Sequence, residues 1–341
     1  MIHLTLFEAE YYDKKEGKKV QCLLCPRNCV IQQNSLGNCQ ARKNIDGKLY
    51  ALGYSRFTSV HADPIEKKPI YHYKPGTSTM SFGTAGCNLH CAHCQNWSIS
   101  QISAESNNLI QVSPQNAIDM TRKNKCETIA YTYNEPLINW EWIRDTGKLA
   151  HENNLGNILV SNGLINTEPL EELLPIIDAV NVDIKAFTEE FYKEVAGFPG
   201  LKYIKQNVKK MWSEGVHIEL TMLLIPDYND SPDEIKQFAQ WVLNELNANV
   251  PIHFSRFYPH YKMQHVPPTP VDTVLEARKI TEEEGLKFVY TGNLPYSEIN
   301  TTFCLNCGQT LVERVYYNVK IKQLANTGKC KNCGVQAPIK C

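Results

Sequence analysis

The distribution of cysteine constrains this chain more than any other feature. There are 13 cysteines in 341 residues, and all but two fall into three groups. Cys22, Cys25, Cys29 and Cys39 lie near the start, Cys87, Cys91 and Cys94 follow, and Cys304, Cys307, Cys330 and Cys333 lie near the end. Cys126 and Cys341 stand apart, with no role assigned to either. An odd count in a chain of this length argues against a secreted disulfide scaffold, which is usually short and even-numbered. The opening stretch MIHLTLFEAEYYDKKEGKK lacks a cationic start followed by an apolar core, so no signal peptide is expected. No apolar run approaches the roughly 20 residues that span a bilayer, so no membrane partner is expected. A cytoplasmic protein with reduced thiols follows, and its cysteines read as metal ligands rather than cross-links.

The last group is a pair of CxxC knuckles, CLNCG and CKNCG, separated by residues that include the strand-like VERVYYNVKI. Each hairpin points two thiolates at one centre, and two of them supply the tetrahedral sulfur set that Zn²⁺ prefers. A zinc ribbon is expected there, either as a staple on a module too small for its own core or as a docking surface for RNA or protein. The first group has the spacing C-x2-C-x3-C-x9-C. Four thiolates so close imply a closed metal site, and spacing alone leaves zinc and an iron–sulfur cluster both open, in a structural or electron-relay role.

The middle group has only three members. In MSFGTAGCNLHCAHCQNW a short strand runs into a glycine-rich loop and then C-x3-C-x2-C. Three thiolates on a [4Fe–4S] cube leave one iron open to substrate, unless His90 or His93 completes a three-Cys, one-His zinc site.

Apolar, β-rich runs alternate with helical patterns along the middle of the chain. Strands are expected at Met80–Phe82, Thr128–Tyr131, Ile158–Val160, Ala179–Ile184, His217–Leu224, Ile252–Phe257 and Lys287–Tyr290. Between them lie amphipathic stretches such as INWEWIRDTGKLAHENN and SPDEIKQFAQWVLNELN, the second opening on Asp230 or Ser231 as N-cap with Pro232 at the first helical position. Such alternation argues a parallel sheet or barrel, with chemistry at the C-terminal strand ends. The polar clusters obey that rule. The cysteine loop follows the first strand, Asn134-Glu135-Pro136 the second and Ser161-Asn162-Gly163 the third. Asp183 and Lys185 end the fourth, Pro226 to Asp230 follows the fifth, Arg256 to His260 the sixth, and Gly292-Asn293 the last. Simpler readings stand beside each: Asn134 as a helix cap, Ser161-Asn162-Gly163 as a tight turn, Asp183 and Lys185 as an exposed ion pair. His253, Arg256 and His260 could pack or cap, and His93 could be a solvated loop residue.

The motifs CLLCPRNC, GNCQAR, CNLHCAHCQNW, YTYNEP, SNG, VDIKA, IPDYND, HFSRFYP and TGN, with the final knuckles, cover nearly the whole chain. Together they resemble the radical S-adenosylmethionine (SAM) enzyme of the AmmeMemoRadiSam system, a relative of pyruvate formate-lyase activating enzymes. The resemblance implies an α/β fold: a partial (β/α)6 radical SAM barrel over residues 76–300, between an N-terminal four-Cys metal module (1–75) and a C-terminal zinc ribbon (301–341). It also implies a [4Fe–4S] cluster on Cys87, Cys91 and Cys94, with SAM at the open iron and reductive cleavage to a 5′-deoxyadenosyl radical. Contacts to SAM are then expected from His93, against adenine, and from Asn134 and Glu135, as acceptors for its ammonium. Ser161, Asn162, Asp183, Lys185, Arg256 and Asn293 complete the expected set. Activating enzymes carry Gly-Gly-Glu where this chain has Tyr133-Asn134-Glu135-Pro136.

An external low-potential electron donor is required, and the system's name suggests AMMECR-family and Memo-family partners. A balance of 35 basic and 36 acidic residues excludes a globally basic nucleic-acid binder, although LKYIKQNVKK leaves RNA open as a substrate beside a protein glycine or a small metabolite. The non-enzymatic alternative is a multi-metal electron-transfer or zinc-dependent binding protein.

Overall fold

The computed structural model describes residues 6–106, 108–294 and 300–341. All seven expected strands form, and they make one sheet with an eighth strand at its edge. In chain order these are β1 (Ser59–Pro64), β2 (Ser78–Gly83), β3 (Thr128–Tyr131), β4 (Gly156–Ser161), β5 (Ala179–Asp183), β6 (His217–Leu224), β7 (Ile252–Arg256) and β8 (Val289–Gly292). Order in space follows order in sequence. β1 runs antiparallel to β2, and every later pair is parallel. There are thus seven parallel strands where the six-unit barrel was expected.

Each parallel crossover carries a helix: α1 (Pro114–Lys123), α2 (Trp140–Glu152), α3 (Thr167–Leu173), α4 (Leu201–Ser213), α5 (Pro232–Glu245) and α6 (Val271–Glu284). Right-handed crossovers in strictly sequential order put all helices on one face of a sheet, and the other face becomes an interior. The sheet stays open between β1 and β8. Local chemistry sets the helix starts. Ser231 accepts the Glu234 N–H at 3.3 Å ahead of Pro232, and Ser113 accepts the Asn116 N–H at 3.2 Å ahead of Pro114.

The interior is plugged at its N-terminal end by residues 66–73. Glu219, fully buried on β6, accepts the backbone N–H groups of Tyr71 (2.8 Å) and His72 (2.7 Å) and pairs with His253 (2.6 Å) and His217 (3.0 Å). A carboxylate so buried needs these partners, because an unpaired one would cost several kcal/mol.

The two flanking segments attach differently. The N-terminal segment shares the main core: Val20, Cys22, Leu24, Ile31 and Leu49 belong to the same apolar cluster as the sheet. Its Arg42 forms a buried ion pair with Glu141 of α2 at 2.7 Å. The C-terminal segment has its own small core of Leu311, Val312, Leu324, Ala337 and Ile339 around Cys304 and Cys330. Buried Arg314 docks it by donating to the Tyr71 carbonyl at 2.7 Å, while its other arm donates to Thr302 Oγ1 within the segment at 2.7 Å.

Candidate functional site

The loop from Thr84 to Asn96 leaves the C-terminal end of β2, where the glycines of FGTAG let the chain turn sharply. Gly86 has φ +93°, a conformation that L side chains rarely adopt. The loop is held from two sides. The N–H groups of His90 and Ala92 donate to the carbonyls of Ala196 (2.9 Å) and Val195 (2.8 Å). Asn134, at the end of β3, accepts from Thr84 N at 3.0 Å and donates to the Gly86 carbonyl at 2.6 Å. Asn134 therefore clamps the cysteine loop, and both ends of its amide are engaged.

Cys87, Cys91 and Cys94 line one cavity of about 490 Å³, within the usual range for small-ligand sites. Burial pushes the Cys91 thiol up to about 12 and the Cys87 thiol well above its ordinary value. Thiols this desolvated ionise only when a metal centre takes the charge. His90 is not a fourth ligand: its Nδ1 meets Gln101 Oε1 at 2.6 Å and its Nε2 meets Asn38 Oδ1 at 2.8 Å. His93 lines the cavity with its ring 5.9 Å from that of Phe191; its buried Nδ1 has no partner, and burial pulls its pKa to about 3.

The remaining candidates meet at the same cavity. Glu135 is buried; its carboxylate accepts from Ser161 Oγ (2.8 Å), Asn162 N (2.8 Å) and Leu137 N (2.9 Å). Burial raises its pKa to about 7 against those three donors. Asn162 donates on to Asn88 Oδ1 at 2.9 Å, linking this carboxylate to the residue after Cys87. Asp183, the last residue of β5, pairs with Lys185 just beyond the strand end, and its buried Oδ1 has no partner. Burial works against a charged Lys185, but Asp183 and then Cys91 outweigh it and hold its pKa above the ordinary value.

Arg256 and Asn293 lie elsewhere. They line an adjoining cavity of about 770 Å³, joined to the first through Lys67, Gln95, Asp183 and Leu223. There Arg256 stacks on Tyr258 and Asn293 donates to the Arg256 carbonyl at 3.1 Å. Tyr316 and Tyr317, from the C-terminal segment, also reach this second cavity.

Sequence reasoning missed Lys67 and Lys68, which line the cysteine cavity from the start of the plug. Lys68 pairs with Asp63 at 2.6 Å beneath the Tyr133 ring, and burial lowers its pKa to about 8. Nothing in IEKKP signals this, because Tyr133, just past the end of β3, reaches Lys68 only in the folded chain. Glu219 was missed for a similar reason: HIELTMLL reads as an ordinary strand until the plug is known.

The C-terminal quartet forms a separate centre. Cys304 and Cys333 Sγ lie 3.6 Å apart, and Cys307 and Cys330 Sγ 3.7 Å. Among the described residues this is the one group of three or more Cys, His, Asp or Glu whose ligand atoms all lie within 4.8 Å of one another. Four sulfurs 2.3 Å from one tetrahedral ion would be about 3.8 Å apart.

Three cysteines lining one cavity, with convergent polar groups at the C-terminal ends of a parallel α/β sheet, define a metal-centred enzyme site. The Radical SAM superfamily model matches residues 82–242. An uncharacterized protein of Methanocaldococcus jannaschii is 42% identical over 333 residues, covering 97% of this chain and 99% of that one. The pyruvate formate-lyase 1-activating enzyme of Escherichia coli K12 is 20% identical over 168 residues (46% of this chain, 68% of that one). The (2S)-3-sulfopropanediol dehydratase activating enzyme of Klebsiella oxytoca is 27% identical over 116 residues (34% and 36%). Among solved structures, a radical SAM methyltransferase from Sphaerobacter thermophilus overlays with a TM-score of 0.49 at 14% identity, over 69% of this chain and 71% of that one. The residues that match the superfamily include all three cysteines of the loop and strands β3 to β6.

The superfamily implies a [4Fe–4S] cluster and SAM, and the cavity fits both. No three of its ligand atoms crowd within 4.8 Å, so the set is too open for one zinc ion, and His90 is engaged elsewhere. Cys87, Cys91 and Cys94 would hold the cluster; the unpartnered Asp183 Oδ1 and His93 Nδ1 face polar needs that the protein itself leaves unmet.

Proposed function

We propose that this chain cleaves SAM reductively and uses the resulting 5′-deoxyadenosyl radical to abstract hydrogen from a substrate held in the adjoining cavity. The convergence of Cys87, Cys91 and Cys94 with Glu135, Asp183 and Lys185 on one cavity carries this reading. When bound, the cluster supplies one electron to the SAM sulfonium, whose S–C5′ bond breaks to methionine and the primary radical. The protein's own share is positioning and exclusion of water. Asn134 fixes the loop that carries the three ligands. Asp183 offers an acceptor to ribose hydroxyls, and Lys185 a cation to the SAM carboxylate. His93, neutral and buried, offers its ring to adenine.

The four residues that line both cavities, Lys67, Gln95, Asp183 and Leu223, put the second beside the first and support it as the substrate side. Its size and the two tyrosines at its edge suit part of a partner protein, as the names of the activating-enzyme relatives also suggest. AMMECR-family and Memo-family proteins are the proposed partners. The sulfur separations support zinc as the occupant of the C-terminal quartet, held in a structural role. The match to the superfamily model does not favour a non-catalytic electron-transfer or zinc-binding protein. No described helix is long and apolar enough to cross a membrane.

Anaerobic reconstitution with iron and sulfide, followed by SAM and dithionite, tests the reading. Methionine and 5′-deoxyadenosine are expected in equal amounts from the native chain, and neither from Cys91→Ala.

A further inference from the structure

We propose that Cys22, Cys25, Cys29 and Cys39 hold a second iron–sulfur cluster, not a zinc ion, and that it relays electrons to the Cys87 site. The destination of that electron rests on the reading above; the identity of the metal does not.

Separation of the sulfur atoms is the first observation. The four residues line one cavity, yet no three of their sulfurs lie within 4.8 Å of one another, whereas the C-terminal four all do. One tetrahedral zinc ion requires the closer arrangement. A cubane puts each thiolate on a different iron at a different corner, so its ligands stand further apart. By this measure the N-terminal quartet groups with Cys87, Cys91 and Cys94.

The lining of the cavity is the second. Besides the cysteines it is walled by Leu24, Ile31, Leu137, Ile138, Leu164 and Ile165. The polar exceptions include Arg27 and Arg42, whose positive charge suits a cluster bearing four thiolates. Arg42 is 1% exposed, and its Nε–H has no partner although its Nη2 pairs with Glu141. A buried, unpartnered donor at the wall of a sulfur-lined cavity fits an N–H···S bond to a cluster, of the kind that tunes iron–sulfur sites.

Proximity to the first site is the third. A Cβ built on Gly86 would lie 2.1 Å from the carbonyl oxygen of Cys39, so the two ligand loops touch backbone to backbone. Asn88, one residue past Cys87, lines the N-terminal cavity, and Arg27 donates to its carbonyl. The two sites are therefore joined through one Cα step of about 3.8 Å and a hydrogen bond. A relay needs such closeness; a structural zinc does not. The electron balance is simple. A reduced one-electron carrier protein, of the iron–sulfur or flavin kind, gives one electron to the N-terminal cluster and is itself oxidised. The cluster gives that electron to the Cys87 site and returns to its starting state.

The test uses the full chain with Cys87→Ala, Cys91→Ala and Cys94→Ala, reconstituted anaerobically. About four iron and one zinc per chain are expected, with a paramagnetic signal after dithionite reduction. Two zinc ions and no iron would overturn the proposal. A second arm keeps the first site intact and uses Cys29→Ser. Stopped-flow reduction of its remaining cluster by a reduced flavodoxin is expected to be at least about tenfold slower than in the native chain. An unchanged rate would overturn the relay while leaving the cluster standing. Failure of the native chain to cleave SAM would strike the reading of the Cys87 site, and the iron count of the triple variant would be untouched. Circular dichroism of both variants reports on folding, and if Cys29→Ser does not fold, the triple variant still decides the metal.

Discussion

At the C-terminal end four cysteines surround a point, with facing sulfurs 3.6 and 3.7 Å apart. At the N-terminal end four others surround a cavity, and no three of their sulfurs come within 4.8 Å of one another. Their surroundings differ as well. The N-terminal set is embedded in the main core through Val20, Leu24 and Leu49, while the C-terminal set has only the few apolar side chains of its own segment. A segment with so small a core would depend on a bound ion for stability. The N-terminal segment has its apolar burial and the Arg42–Glu141 pair whether or not a metal is bound. Two sets of equal size can thus have opposite dependences, one in which the metal makes the fold and one in which the fold makes the site.

The largest test of this contrast removes one ligand from each set. Cys330→Ser should release the C-terminal ion and unfold residues 301–341, since structural zinc contributes on the order of 10 kcal/mol. Limited proteolysis should then cut that segment first. Cys25→Ser should leave the proteolytic pattern of the N-terminal segment unchanged; cutting there would remove the distinction.

Next comes the ion pair that fastens the N-terminal segment. Arg42→Ala leaves Glu141 buried and unpaired and should cost about 3–5 kcal/mol in chemical denaturation. A loss below about 1 kcal/mol, the level of an exposed pair, would mean that the segment is held by something else.

Gly86→Ala probes the contact between the two ligand loops. Its Cβ would meet the Cys39 carbonyl in a left-handed backbone conformation, which predicts a loss of about 1–3 kcal/mol. Iron content should fall in the same variant. Normal iron with normal stability would show that the loops are not in contact.

The effect that is smallest near neutral pH is a pH slope at the docking surface of the C-terminal segment. His72 bridges the Pro338 carbonyl (3.0 Å) and the Tyr290 hydroxyl (2.7 Å), and burial pulls its pKa to about 3. The unfolded chain takes up a proton near pH 6.5 that the native one refuses. Stability is therefore lost as pH falls from about 6.5 toward 3, by about 1.4 kcal/mol per unit from this group. His72→Gln should flatten the slope by about one proton; an unchanged slope would place His72 in water.

The expected strands were legible because each alternates with an amphipathic helix, and their polar clusters fall at strand ends as predicted. Ser231 and Pro232 marked the start of α5 in the sequence itself. What stayed hidden was long-range. Asn134 lines the cysteine cavity as expected, but its clamp on Thr84 and Gly86 could not be read from the sequence. His90 looked available for metal until Asn38 and Gln101, far apart in the chain, met its two nitrogens. Arg256 and Asn293 carry the strand-end signature and line the neighbouring cavity, because position around the sheet cannot be read from a single strand. Spacing could not separate the two quartets, since the same residues close on an ion or spread around a cavity according to the loops that carry them.

Everything above turns on the three cysteines that follow β2. The most direct measurement is 5′-deoxyadenosine release from SAM by the anaerobically reconstituted, dithionite-reduced chain, with Cys87→Ala run beside it. The account predicts SAM-derived deoxyadenosine from the native chain and a loss on the order of a thousandfold or more in the variant. Equal release from both, or none from a native chain with its iron in place, would contradict it.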